Sequence, residues 1–118
     1  MQYICLVYGE EQQLHALTAE AGAKLNADSL AYDRSLQASG HLIVAQALQS
    51  VKTSKLVRRR HGRKLVTDGP FAETKEQLLG FVMVEARNLD EALEIAAGIP
   101  LAEMGAIEVR AIYDIPGS

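Results

Sequence analysis

Two hydrophobic rhythms alternate along this chain. Tyr3 to Tyr8 is a short apolar run and reads as a strand. Past Thr18 the period lengthens. Leu25, Ser29, Tyr32 and Leu36 recur at spacings of four, three and four, which sets them in one stripe along a helix. Thr18 is placed to cap that helix, and Glu20 sits in its first turn at the positive end of the dipole. Gly40 stands where a left-handed residue closes a helix. His41 to Leu48 returns to strand character. Lys52 to Arg59 and Lys64 to Thr67 read as a third strand and its continuation, joined around His61-Gly62. Leu78 to Ala86 is the strongest strand pattern. Asn88 then caps a second helix, with Glu91 three residues on to complete a capping box. Leu89, Leu93 and Ala96 form its predicted apolar stripe. Gly98 stops it, and Pro100 is expected to prevent its restart. Ile107 to Ile112 is the last strand.

The order is strand, helix, strand, strand or hairpin, strand, helix, strand. Two βαβ-like units around a central hairpin describe an α+β fold, a ferredoxin-like sandwich. Residues 1–115 read as one domain and residues 116–118 as a loose tail. Two helices cover only one face of such a sheet, yet the strands are apolar on both. Ile4 and Leu6 alternate with Cys5 and Val7; Val82 and Val84 alternate with Phe81 and Met83. A face open to water would carry polar residues. The economical expectation is a homodimer packed sheet to sheet, the alternative being a monomer with a moderately hydrophobic surface.

Composition narrows the function classes. The 118 residues suffice for a real core, and 48% of them are hydrophobic, which argues against disorder. The formal net charge of −3 gives no electrostatic reason to expect nucleic acid. The basic cluster Arg58-Arg59-Arg60-His61 with Arg63 and Lys64 alternates across a strand and lacks interleaved aromatics, so it reads as a solvated hairpin. The single cysteine, Cys5, lies among apolar residues and reads as a buried structural thiol. Residues 1–8 are too short and uncharged for a signal peptide, and no apolar run approaches membrane-spanning length. A cytoplasmic protein away from membranes is the expectation. His15, His41 and His61 lack metal-site spacing, so no metal is expected. No phosphate loop or dinucleotide fingerprint occurs, so no cofactor is expected.

The chemistry-bearing segment is Asp68-Gly69-Pro70-Phe71 followed by Glu73, Lys75 and Glu76. Gly69 permits positive φ and Pro70 locks its own, which fixes the path of the turn. Asp68 either accepts hydrogen bonds within its own turn or serves as a general base or ligand anchor. Glu73, Lys75 and Glu76 either form solvated ion pairs or serve an anionic substrate, with Lys75 as its cation and a carboxylate as proton acceptor. Glu108 and Arg110 share a strand face, as a structural pair or an anion site. Ser29 and Tyr32, on the helix stripe, are core hydroxyls or pocket-lining groups.

The stretch Asp68 to Glu76 resembles the signature of the DGPF-domain proteins, a branch of the YCII-related family. Gly40, Gly62-Arg63, Gly80-Phe81, Asp90-Glu91-Ala92 and Ile107-Glu108-Val109-Arg110 fit the same pattern. The resemblance spans essentially the whole chain and implies a dimeric α+β barrel. More distant members carry a histidine on the first helix and an aspartate before a proline, with a proposed acid–base role. Here Ser29 and Ile99 stand at those places. The resemblance also implies a regulatory setting, since such proteins are often encoded beside sigma factors of the extracytoplasmic-function class. Two functions stay open. One is cofactor-independent proton transfer on a small anionic substrate, as in a lyase or isomerase. The other is a noncatalytic ligand-binding or regulatory module.

Overall fold

The computed structural model describes residues 1–69 and 75–118. Strand β1 spans Gln2–Gly9, a short helix α1 Glu11–His15, and α2 Ala19–Ala38. Strands β2 (Leu42–Ala47), β3 (Lys55–Arg60), β4 (Arg63–Asp68) and β5 (Gln77–Glu85) follow, then α3 (Leu89–Ala97) and β6 (Ala106–Ala111). The main sheet is antiparallel with order β2-β5-β1-β6, and α2 and α3 pack on one face. This is the expected α+β sandwich, with β3 and β4 inserted between its second and third strands.

The helix boundaries follow their caps. The Thr18 hydroxyl accepts from the Ala21 amide at 3.0 Å. At the other end Gly40 has φ 83, the His41 amide donates to Leu36 at 2.9 Å and the Gly40 amide to Gln37 at 3.1 Å. These two bonds form a Schellman closure that a Cβ at position 40 would strain. Asn88 accepts from the Glu91 amide at 3.0 Å. Glu91 returns not to Asn88 but to the Arg87 amide, also at 3.0 Å, so the capping box is shifted by one residue.

Alternation in β1 sorts the sheet faces. Tyr3, Cys5 and Val7 point toward the helices, opposite Val84, Val82 and Gly80 of β5. With Leu36, Ala92, Ile95, Ala96 and Ile99 they form the core. Ile4 and Leu6, opposite Met83 and Phe81, lie on the other face and remain half-buried. No described helix covers that side.

Three expectations are corrected. The apolar stripe of α3 is Ala92, Ile95 and Ala96, whereas Leu89 and Leu93 are 50% and 47% exposed. Pro100 does not prevent a restart: it opens a 3₁₀ turn over Pro100–Glu103, where its missing N–H costs nothing. The reading of Lys52 to Arg59 as one strand misses a 3₁₀ turn at Val51–Thr53, capped by the Ser50 hydroxyl. The third strand and its partner do not join the main sheet but form a two-stranded hairpin of their own. His61 and Gly62 at its tip have φ 51 and 74, the sign a two-residue hairpin turn demands. Helix α1 is an element the periodicity did not announce.

Candidate functional site

Only Leu36 of α2 is fully buried, so the helix touches the sheet firmly near its C-terminus alone. Toward its N-terminus a cavity of ≈ 790 Å³ separates helix from sheet. Small residues create it. Ala45, Ala47 and Gly80 make the floor on β2 and β5, and Gly22 and Ser29 face them from α2. Where neither wall carries a large side chain, close packing cannot be completed. Gly80 is held small by geometry, since an added Cβ would lie 2.6 Å from the Gln46 carbonyl oxygen. Leu25, Leu79 and Leu101 add apolar wall, and Leu14 and His15 of α1 line the space as well.

The polar groups are few and unequal. Glu11 opens α1, and its carboxylate accepts from the Val51 amide and the Ser50 hydroxyl, both at 2.7 Å. The Val51 bond, then the Ser50 bond, hold its carboxyl below the usual range. Asp33 also lines the cavity, one helical turn beyond Ser29. No hydrogen bond or ion pair engages its carboxylate among the described residues, and burial pushes its pKa up. Asn26 supplies an amide from the preceding turn of the same helix. Neither lysine nor arginine appears among the described lining residues. Tyr32 closes one end: its hydroxyl donates to the Ile95 carbonyl at 2.7 Å, and burial raises its pKa, with Cys5 adding to the shift.

The residues expected from sequence are distributed over several places. Ser29 and Tyr32 line the cavity. Asp68, Lys75, Glu76, Glu108 and Arg110 do not. Asp68 ends β4 at the base of the hairpin, exposed, and is ion-paired with Lys55, which holds its carboxyl below the usual range. Lys75 lies 3.7 Å from the Glu10 carboxylate. Arg110 lies 3.6 Å from Glu108 on the uncovered sheet face, where the Tyr8 hydroxyl donates to the same carboxylate at 3.2 Å. Glu76 is exposed, and Glu73 lies outside the described residues. Asp68, Lys75 and Arg110 thus take three different partners and line no shared cavity among the described residues. The C-terminal end of the motif is nonetheless anchored beside α1. Lys75 meets Glu10, and the Gln77 side chain accepts from the Glu11 amide at 3.1 Å. That end of the motif therefore borders the helix that walls the cavity.

Sequence reading missed Glu11, His15, Asn26 and Asp33. Asp33 sits on the flank of the Leu25–Leu36 stripe, but Asp28 of the same helix is solvent-exposed and pairs with Lys24 at 2.7 Å. Spacing by itself does not separate the two aspartates. A surface trio also forms away from the cavity: Ser39 Oγ lies 2.7 Å from His41 Nδ1, and His41 Nε2 lies 3.3 Å from Glu91. It links the end of α2 to the start of α3 and lines no described pocket.

Fold and cavity define an antiparallel α+β sandwich with a small-molecule-sized space between helix and sheet. The chain belongs to the YCII-related family, whose domain model matches residues 1–116. It is 37% identical over 112 residues to the uncharacterised protein R00369 of Rhizobium meliloti (strain 1021), covering 93% of this chain and 90% of that one. Its fold is similar to a solved structure of 5-chloro-2-hydroxyhydroquinone dehydrochlorinase (TftG) from Burkholderia phenoliruptrix AC1100, in complex with 2,5-dihydroxybenzoquinone. That likeness has a TM-score of 0.58 at 16% identity, over 96% of this chain and 94% of the other.

Proposed function

We propose that this protein binds a small, largely apolar molecule between α2 and the sheet and catalyses proton transfer on it without a cofactor. The observation that carries this reading is the cavity itself. It is of a size that takes a small ligand, mostly apolar, with a few polar groups in its lining. The structurally similar protein is a 5-chloro-2-hydroxyhydroquinone dehydrochlorinase in complex with 2,5-dihydroxybenzoquinone, which supports the enzyme reading. We further propose that the working form is a homodimer in which the uncovered faces, with Ile4, Leu6, Phe81 and Met83, pack together as a dimeric α+β barrel. Such packing would bury the Tyr8–Glu108–Arg110 group between the sheets.

A second reading rests on the motif. Asp68 is committed to a solvent-facing ion pair with Lys55, as a structural clasp would be. A noncatalytic ligand-binding or regulatory module, including one working with an extracytoplasmic-function sigma factor, fits that observation. It also fits an anion taken up by Lys75 or Arg110 rather than by the cavity.

A thermal-shift panel of neutral aromatic compounds and small carboxylates separates the two. The cavity reading expects neutral compounds to raise the melting temperature saturably in the wild type and not in Ser29→Leu, which narrows the space. Stabilisation by carboxylates alone, lost in Arg110→Ala or Lys75→Ala and kept in Ser29→Leu, would move the site to the charged surface.

A further inference from the structure

We propose that Asp33 is the proton-accepting group of the cavity, and that its substrate is a neutral molecule carrying an acidic C–H conjugated to a carbonyl. This inference rests on the reading of the cavity as the small-molecule site.

Three observations converge on Asp33. It faces the cavity from α2, with Ser29 one turn before it and Asn26 two turns before it on the same side of the helix. Its carboxylate has no partner among the described residues, whereas Glu11, the other lining carboxylate, has both oxygens engaged by Ser50 and Val51. The two carboxyls are also driven in opposite directions, Glu11 below its ordinary range and Asp33 above it. Carboxyls separated in this way divide naturally into a fixed charge and a titrating group that exchanges a proton with substrate. A free acceptor at a partly enclosed site has the geometry of a general base; one already holding two donors does not.

The lining also selects the charge of the ligand. Two carboxylates line the described cavity, with His15 as its one basic side chain and no lysine or arginine, so an anionic molecule would enter against predominantly like charge. A neutral carbonyl compound meets apolar walls from Leu25, Leu79 and Leu101, with the Ser29 hydroxyl and the Asn26 amide as hydrogen-bond donors. The step is a simple proton transfer. An Asp33 oxygen takes the proton from carbon, the C–H bond breaks, and its electron pair moves into the carbonyl to give an enolate. Ser29 and Asn26 are placed to donate to the developing oxygen charge. The proton held on Asp33 exchanges with water, and Asp33 then returns a proton or deuteron to the enolate carbon, which restores both the ketone and the carboxylate.

The test uses 2-indanone, a flat neutral ketone with acidic C–H groups, on the full chain in deuterated buffer. Amide shifts in a ¹H–¹⁵N spectrum report binding, and ketone NMR reports exchange of hydrogen for deuterium. Wild type is expected to show shifts at cavity amides, Leu25 and Ser29 among them, and exchange above the buffer rate. Asp33→Asn should keep the shifts and lower protein-catalysed exchange roughly a hundredfold, the low end of what general-base catalysis contributes. Exchange undiminished in Asp33→Asn, or shifts with no exchange in either protein, overturns the assignment of Asp33 and leaves the cavity reading standing. No shifts at any cavity amide in wild type overturns the cavity reading and this inference with it. A thermal melt of Asp33→Asn keeps misfolding apart from loss of the base.

Discussion

The Tyr32 hydroxyl reaches the Ile95 carbonyl directly across Gly98. The hydrogen bond is 2.7 Å, and a Cβ built at Gly98 would lie 2.3 Å from the same hydroxyl oxygen. Gly98 has an ordinary right-handed conformation, φ −82. It is therefore small because Tyr32 passes over it, not because the backbone needs positive φ. One contact thus ties α2 to α3 and sets the end of the cavity at which the two helices meet.

Tyr32→Phe should cost on the order of 1 kcal/mol of stability, because it removes one hydrogen bond and keeps the ring. Gly98→Ala should cost more, about 1–3 kcal/mol, because the ring has to move. Urea denaturation of the two variants measures the order. Equal, negligible losses would mean that Tyr32 does not hold the helices together.

Asp33 contributes a stability effect of defined sign. Its folded pKa is raised by burial, so its favourable contribution is present below the unfolded pKa and is lost as pH rises through the folded one. Asp33→Asn should therefore be as stable as or more stable than wild type at neutral pH, by no more than about 1 kcal/mol after solvent screening. The gap should close below about pH 4. Melting temperatures from pH 3 to pH 8 test this. A variant less stable than wild type at pH 7 would show that the carboxylate has a stabilising partner.

Glu11 should behave in the opposite sense. Its pKa is lowered, first by the Val51 amide and then by the Ser50 hydroxyl, so its contribution is present above the unfolded pKa and is lost as pH falls through the folded one. Glu11→Gln should lose on the order of 1 kcal/mol at pH 7, with the difference from wild type shrinking on acidification. Because the same carboxylate anchors the 3₁₀ turn at Val51–Thr53, amide exchange should rise at Val51. Unchanged protection there would exclude the anchoring role.

Sedimentation at low micromolar concentration should give a dimer mass for wild type. Phe81→Glu sets a charge on the uncovered sheet face and should yield monomer, since an unpaired charge at a buried interface costs several kcal/mol in order of magnitude. Val82→Glu, on the helix side of the same strand, should instead unfold the domain. A wild-type monomer at that concentration ends the barrel proposal.

Asp68→Asn should hardly move the melting temperature, because its ion pair with Lys55 is solvent-exposed. Its effect on any activity found in the cavity should be similarly small. Loss of that activity with the fold intact would return Asp68 to the candidate base.

The strand and helix framework was legible from sequence because it rests on local rules. Thr18, Gly40 and Asn88 cap where their side chains and backbone freedom place them. Strand alternation announced two apolar faces before the register paired Cys5 with Val82 and Leu6 with Phe81. The family likeness carried on Asp68 to Glu76 agrees with the model match over residues 1–116. Where periodicity failed, tertiary packing overrode it. Leu89 and Leu93 fit a helical stripe, but α3 turns Ala92, Ile95 and Ala96 toward the sheet because small residues allow close approach. Of the cavity, only Ser29 and Tyr32 were open to sequence as pocket-lining groups. The cavity arises where Gly22 and Ser29 of one element oppose Ala45, Ala47 and Gly80 of two others, a coincidence of small residues far apart in the chain. Asp28 and Asp33 are alike in type and five residues apart. Only the way α2 lies on the sheet turns one to water and leaves the other partly desolvated, because burial is a property of the neighbours that folding brings together.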